Sequence, residues 1–327
     1  PHAKVQGAGE ELCQADYTYY SHVGYNYSQE ATPGAVPVYT MRHMQSGAII
    51  TTVVVRKGVW PYAVALIADW CVKLNRNPLI LRGDAEHSLM ALLSAIAEKV
   101  CQSGIRCSTQ QAVVGSHQSI GGAEVSHDII AGFARCMAAL VKDRTGFEIE
   151  PKHRLFTWLI RHAGYLCTER HVQKHGLTAR KILSGEESNE KLAIFGECAL
   201  FKVAEVRKQG SLLPRWNKGI WVGVRNADSG HIMLDEKGWV AAREVSRLPG
   251  VSRWNKPLLE LCAGVPWSRH EGAVAQQRQL RFEKSVPIVN EITPDPEAAK
   301  YYQDDAGDDA VPEAAPDDHK PTEMSGQ

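Results

Sequence analysis

Apolar and polar residues alternate along the first third of the chain in a way that predicts strands before helices. From Leu12 to Tyr20, "LCQADYTYY" is rich in aromatic and β-favouring residues. "AVPVYTMRH" and the β-branched "GAIITTVVVRKG" follow, divided by the turn-forming "SQEATPG" and the Ser46-Gly47 pair. Three antiparallel strands in a meander are predicted. The period then changes. "WPYAVALIADWCVKLN" is apolar at helical spacing, with Pro61 in its first turn where proline is tolerated. "PLILRGD" predicts a buried strand ending at Asp84, and "AEHSLMALLSAIAEKVCQSG" a helix closed by Gly104. "IRCSTQQAVVG" reads as a short edge strand and loop. A third helix is expected from Glu124 to about Lys142, and a fourth from Lys152 to about His175.

Strands followed by a helix, a strand and more helices predict a mixed α/β sheet flanked by helices. Beyond Phe195, "ALFKVAEV", "KGIWVGV" and "HIMLDEKGWVAAREV" are short alternating strands punctuated by turns, which predicts a small β-barrel-like module. The expected organisation is a linker over 1–11, an α/β core over 12–183, the β-module over 195–250, an extension over 251–284 and a tail over 285–327.

Charge sharpens this division. The net charge is zero, yet the stretch from Ser285 to Gln327 carries eleven acidic against two basic side chains, which leaves 35 basic against 26 acidic for everything before it. A basic body suits a polyanionic partner. The Pro-, Ala- and Asp-rich tail has little to bury and is expected to be disordered. No apolar run is long enough to cross a membrane, no signal peptide is visible, and an intracellular location, nucleus or cytoplasm, is expected. The eight cysteines form no CxxC and predict reduced, mostly buried thiols. His171 and His175, four apart, would share a helix face. Without a matched second pair they predict a polar face, and no zinc is expected here. The chain lacks an initiator Met and is expected to be a fragment of a longer polyprotein.

Three carboxylates carry the candidate chemistry. Asp16 interrupts a β-favouring run, Asp84 ends a strand, and Glu124 opens a helix just after Gly121 and Gly122, glycines that would leave the helix free to close on bound DNA. A buried carboxylate is costly unless a cation compensates it, and ligands of open α/β sheets bind at strand ends. Three convergent carboxylates could hold two hard divalent ions, Mg²⁺ or Mn²⁺, about 3.5–4 Å apart. Asp69 and Glu86 are read as solvated helix charge instead. In the β-module, Lys202, Arg207, Lys208, Arg215, Lys218 and Arg225 are interleaved with Trp216 and Trp221. Phosphate contact with base stacking and a plain solvated surface are both compatible with that pattern, and Trp216 is expected to be the more exposed tryptophan.

The order Asp16, Asp84, Glu124, with its second gap near the family's usual length, resembles the Asp-Asp-Glu triad of retroviral and retrotransposon integrases. Ser116, Gln118, Ser119, Gly121 and Glu124 match the family's S-x-Q-S-N-G-x-x-E motif. "LFTWLIRHAGYLCTERHVQKHGLTARKILSGEE", "FGECALFKV" and "KGIWVGV" are similar to the stretch after the core in copia-type elements. The resemblance covers roughly residues 10–270. It implies an RNase H-like core that trims 3′ ends of element cDNA and joins them to target duplex DNA, working as a homo-oligomer. Asp16, Asp84 and Glu124 would be both catalytic and metal-binding, and Gln118 would lie near the DNA. Ile120 and His117 depart from the motif, Asp128 puts an acid on the helix after Glu124, and the family's His-His-Cys-Cys zinc module is missing. These departures motivate an alternative: a catalytically inactive, nucleic-acid-binding remnant of a mobile element. An RNase H-type nuclease is a weaker third reading, because it leaves the β-module unexplained.

Overall fold

In the computed structural model, residues 11–21, 32, 34–112, 121–190, 192–202, 215–225 and 230–270 are described. The expected meander is present as β1 (Glu11–Tyr20), β2 (Val36–His43) and β3 (Ile49–Val53). Then follow α1 (Pro61–Lys73), β4 (Leu79–Gly83), α2 (His87–Gln102) and β5 (Cys107–Gln111). The sheet order is β3-β2-β1-β4-β5, antiparallel from β3 to β1 and parallel from β1 to β5. Two further helices, α3 (Gly121–Thr145) and α4 (Arg154–Glu169), complete the core.

Strand alternation sorts the side chains between two layers. Cys13, Ala15 and Tyr17 of β1 join Leu79 and Leu81 of β4 in one apolar cluster with α1 and α2. Tyr20 of the same strand, with Val36 and Val38 of β2, packs into a second cluster with α3 and α4. The result is a sheet between two helical layers. By the same parity, Gln14 and Asp16 belong to the face that α3 and α4 cover.

Two sequence-based helix limits are corrected. Helix α3 begins at Gly121 rather than Glu124. Helix α4 stops at Glu169, so His171 and His175 lie beyond it and share no helix face. The chain there bends back through a Val172–Thr178 bridge, and the Gln173 side-chain amide donates to the Ser46 backbone carbonyl, which ties the bend to the β2–β3 turn. Two short helices escaped the periodicity, α5 (Ala179–Ser184) and α6 (Lys256–Leu261). Both have side-chain N-caps, Thr178 accepting from the Lys181 amide and Asn255 from the Leu258 amide.

The strands after Phe195 form a second, antiparallel sheet. It contains β6 (Cys198–Lys202), β7 (Trp216–Val224), β8 (His231–Asp235), β9 (Gly238–Ala242) and β10 (Val245–Arg247), in the order β10-β6-β7-β8-β9. Among the described residues no β9–β10 ladder closes it into a barrel. It is not separate from the α/β core. Ile220, Val222, Ile232, Leu234 and Trp239 share one buried cluster with Phe156, Trp158 and Leu159 of α4, and the Trp158 indole donates to the Gly264 carbonyl at 3.0 Å. All eight cysteines are unpaired, and five of them are buried. No helix among the described residues is long and apolar enough to cross a membrane.

Candidate active site

The chain runs from β1 outward through β2 and β3, then returns to lay β4 on the other side of β1. The β1–β4 seam is therefore where strand order reverses, the position at which open α/β sheets place ligands. The parallel ladder pairs Ala15 with Gly83. One residue further on come Asp16, still within β1, and Asp84, just past the end of β4. Asp16 continues in the antiparallel ladder opposite Thr40, so its backbone is held within a strand, while β4 ends at Gly83. Asp16 Oδ1 accepts from the Tyr17 amide at 2.8 Å, and Asp84 Oδ1 from the Ala85 amide at 2.7 Å.

Glu124 arrives from above, in the first turn of α3. Gln14, two residues before Asp16 on the same face, accepts from the Gly122 amide at 2.9 Å and so fixes the start of this helix over β1. Gly122 is a glycine for a packing reason: a Cβ there would overlap the Met44 sulfur and Gln14 Oε1. Gly121 meets no such neighbour. Glu124 sits in the first turn, at the positive end of the helix dipole. The acid at Asp128, one turn on, is likewise exposed.

The electrostatics of the three carboxylates centre on Asp16. Burial pushes its pKa up to about 6, against the lowering effect of the Tyr17 amide, and Asp84, Glu86 and Glu124 raise it further. The unfolded chain therefore gives up this proton first, near pH 3.8, and the fold loses stability as pH climbs from there to about 6. Above that window the cost is fully present, about 3 kcal/mol. Asp16→Asn is expected to remove it, raising metal-free stability at pH 8 but not at pH 4. Urea unfolding at the two pH values checks this, and equal effects at both would contradict it.

Glu86 is more than the solvated helix charge its sequence context suggests. It is the residue before α2, with extended backbone, and it acts electrostatically on Asp16. Its Oε1 is 2.6 Å from the Lys57 ammonium and accepts from the Ser88 hydroxyl. Asp69, by contrast, is a surface residue of α1 that pairs with Lys73 at 2.8 Å.

The donor set is all carboxylate oxygen with surplus negative charge, which suits Mg²⁺ or Mn²⁺ and not zinc. Among the described residues, no three His, Cys, Asp or Glu side chains stand close enough to hold one ion together. A cavity of about 710 Å³ lies elsewhere, lined by Trp70, Trp158, His162, Tyr165 and Val222 between α4 and the second sheet, and contains none of the three carboxylates.

The candidate DNA-contact residues divide. Lys202 is ion-paired to Glu244, with N–O distances of 2.8 and 3.0 Å, so its charge is already answered. It stands opposite Trp216 in the β6–β7 ladder, and Lys218 stands opposite Leu200, so Lys202, Trp216 and Lys218 share one face. Trp216 is 39% exposed and Trp221 fully buried, its indole donating to His231 Nδ1 at 3.1 Å. Arg215 and Lys218 are exposed. Gln118, Arg207 and Lys208 lie outside the described residues, as does the acidic tail.

No protein-family profile matches the chain, and no curated protein matches it either. Solved structures similar to it include a simian T-cell lymphotropic virus intasome bound to the PP2A regulatory subunit B56 gamma. That match has 12% identity and a TM-score of 0.40, over 74% of this chain and 79% of that one. Two others are HTLV-2 integrase catalytic cores in complex with magnesium. The dimeric form has 15% identity and a TM-score of 0.34, over 52% of this chain and 94% of that one. The trimeric form has 17% identity and the same TM-score, over 54% and 99%. At these scores the likeness is too loose to assign a function, and the site stands on its own geometry.

Proposed function

We propose that this chain is an integrase-like polynucleotidyl transferase of the retrotransposon type, with an RNase H-like core and Asp16, Asp84 and Glu124 as its metal-binding carboxylates. One observation carries this reading: Asp84 and Glu124, from separate elements, both bear electrostatically on a half-buried Asp16 at the seam where strand order reverses. Bound divalent ions would activate a water or a 3′-hydroxyl and stabilise the leaving oxygen in phosphoryl transfer. The protein's part is to orient. Asp16 is held in the β1–β2 ladder, Asp84 follows directly on β4, and the Gln14 brace sets where α3 starts over β1. For all three to share ions, Glu124 must close on the aspartate pair. Trp216 and Lys218 supply a phosphate- and base-contacting face, with the exposed Arg215 beside its start. Element cDNA ends and target duplex are the proposed substrates, the protein acting as an intracellular homo-oligomer. A strand-transfer assay on a labelled duplex oligonucleotide with MnCl₂ or MgCl₂ tests the proposal. Metal-dependent joining is the expected result, and its absence with both ions refutes the activity.

A second reading, a catalytically silent nucleic-acid-binding remnant, is favoured by the absence among the described residues of a ready-made three-carboxylate group. It predicts duplex binding with no joining.

A further inference from the structure

The cavity between α4 and the second sheet, about 710 Å³, has the size of a small-molecule site and the usual place of one, between two packed units. His162 of α4 lines it and is only 5% exposed, yet among the described residues its Nδ1 has no hydrogen-bond partner. Buried polar atoms are ordinarily paired, so this one needs a reason. The ring itself is firmly held. It is nearly parallel to Tyr165 and Phe195, with centroids 5.7 and 5.9 Å away, and meets Trp221 edge-on at 5.0 Å. Burial lowers its pKa to about 3, so the imidazole is neutral and presents one donor and one acceptor nitrogen. Nδ1 is left uncovered by a local feature of β7. The β7–β8 register slips between Trp221 and Gly223, and Gly223, also on the cavity wall, has a φ of 149°, which favours glycine. A Cβ there would stand 3.2 Å from Nδ1, so the residue facing the nitrogen is one without a side chain. Trp70, Trp158 and Tyr165 add flat aromatic surface to the wall. Lys73 and Arg180, which also line it, are already paired, with Asp69 at 2.8 Å and Glu169 at 3.7 Å.

We infer that this cavity is a binding site for a neutral, planar heteroaromatic molecule that hydrogen-bonds His162 Nδ1. Aromatic walls favour a planar body through offset and edge-on ring contacts. Cations that already have carboxylate partners favour a ligand without net charge. The buried nitrogen selects a polar edge, because covering it with an apolar one leaves it unpaired and costs affinity. A ring with adjacent N–H and N atoms, as in indazole, satisfies Nδ1 in either tautomer of the neutral imidazole. Indene, an all-carbon ring of the same shape, satisfies it in neither. The inference is independent of the proposed polynucleotidyl transfer, since Asp16, Asp84 and Glu124 do not line the cavity.

The test is a titration of the full chain, labelled with ¹⁵N at histidine, with indazole and separately with indene, followed by NMR of the imidazole nitrogens. His162→Phe keeps an aromatic ring in the stack and removes both nitrogens, so the signal it lacks identifies His162. Should that variant fail to fold, His162→Gln identifies the signal and takes its place. Expected are a saturable shift of the His162 Nδ1 resonance with indazole and a smaller one with indene. The ratio of indazole to indene affinity is expected to fall roughly three- to tenfold in His162→Phe, the worth of one hydrogen bond. An indazole titration that leaves the His162 signal in place overturns the inference. So do equal shifts with indene, or an affinity ratio that is unchanged in the variant.

Discussion

Asp84→Asn is expected to abolish metal-dependent strand transfer, by roughly a thousandfold or more, the scale on which loss of one transition-state-stabilising group acts. The substitution is interpretable because it leaves the fold alone. Asp84 is exposed and accepts from the next residue's amide, as an Asn carbonyl can also do. Only the charge is lost. Unfolding by urea should therefore show no loss of stability while joining of the duplex oligonucleotide disappears. Activity surviving at more than a few per cent would remove Asp84 from the mechanism. Asp16→Asn is the companion case with the opposite stability signature, since relief of the buried charge should make that variant more stable and equally inactive.

The largest expected loss of stability lies far from this chemistry. Glu197 is fully buried just before β6. Its carboxylate receives Arg247 through Nε at 3.0 and 3.1 Å and Nη2 at 2.8 Å, with Arg253 Nε at 3.2 Å and the Ile194 amide at 3.1 Å. One buried anion thus ties β10 and the turn after it to the start of β6. Removing one partner of a buried pair costs about 3–5 kcal/mol when the other is left without solvent. Both arginines are partly exposed, with side chains 41% and 34% accessible, so water can recover part of that loss. Glu197→Ala is accordingly expected to cost about 3 kcal/mol, and Glu197→Gln, which keeps the shape, less. Chemical denaturation checks both, and a cost below about 0.5 kcal/mol would mean the cluster behaves as an ordinary surface pair.

What the sequence disclosed and what it concealed follow from the range of the forces involved. Alternation in "LCQADYTYY" and "AVPVYTMRH" is enough to lay out the meander, because side-chain parity is a local property. The polar interruption at Asp16 is visible for the same reason: a carboxylate within a β-favouring run asks for compensation. The end of α4 is not visible. The pattern runs on past Glu169, whereas the chain turns back and is tied by Gln173 to the β2–β3 turn, a contact between parts of the chain far apart in sequence. The same limit hides the shared core, since nothing local in "KGIWVGV" says that Ile220 and Val222 will pack with Trp158. Glu86 is misjudged from sequence because a charge before a helix is ordinarily helix charge. Its partner, Lys57, is separated from it along the chain by the whole of α1 and β4, and is inconspicuous until the fold brings the two together. The Gly121-Gly122 pair suggests freedom for the helix. The structure adds that the second glycine leaves room beneath α3.

The account depends on residues 16, 84 and 124 forming a cation site, and counting bound ions tests that most directly. Free Mn²⁺ can be followed by electron paramagnetic resonance while it is titrated into the full chain and into the Asp16→Asn/Asp84→Asn/Glu124→Gln variant. About two tightly bound ions per wild-type chain are expected, as two-metal phosphoryl transfer requires, and none in the variant. Equal Mn²⁺ uptake by the two proteins would contradict it.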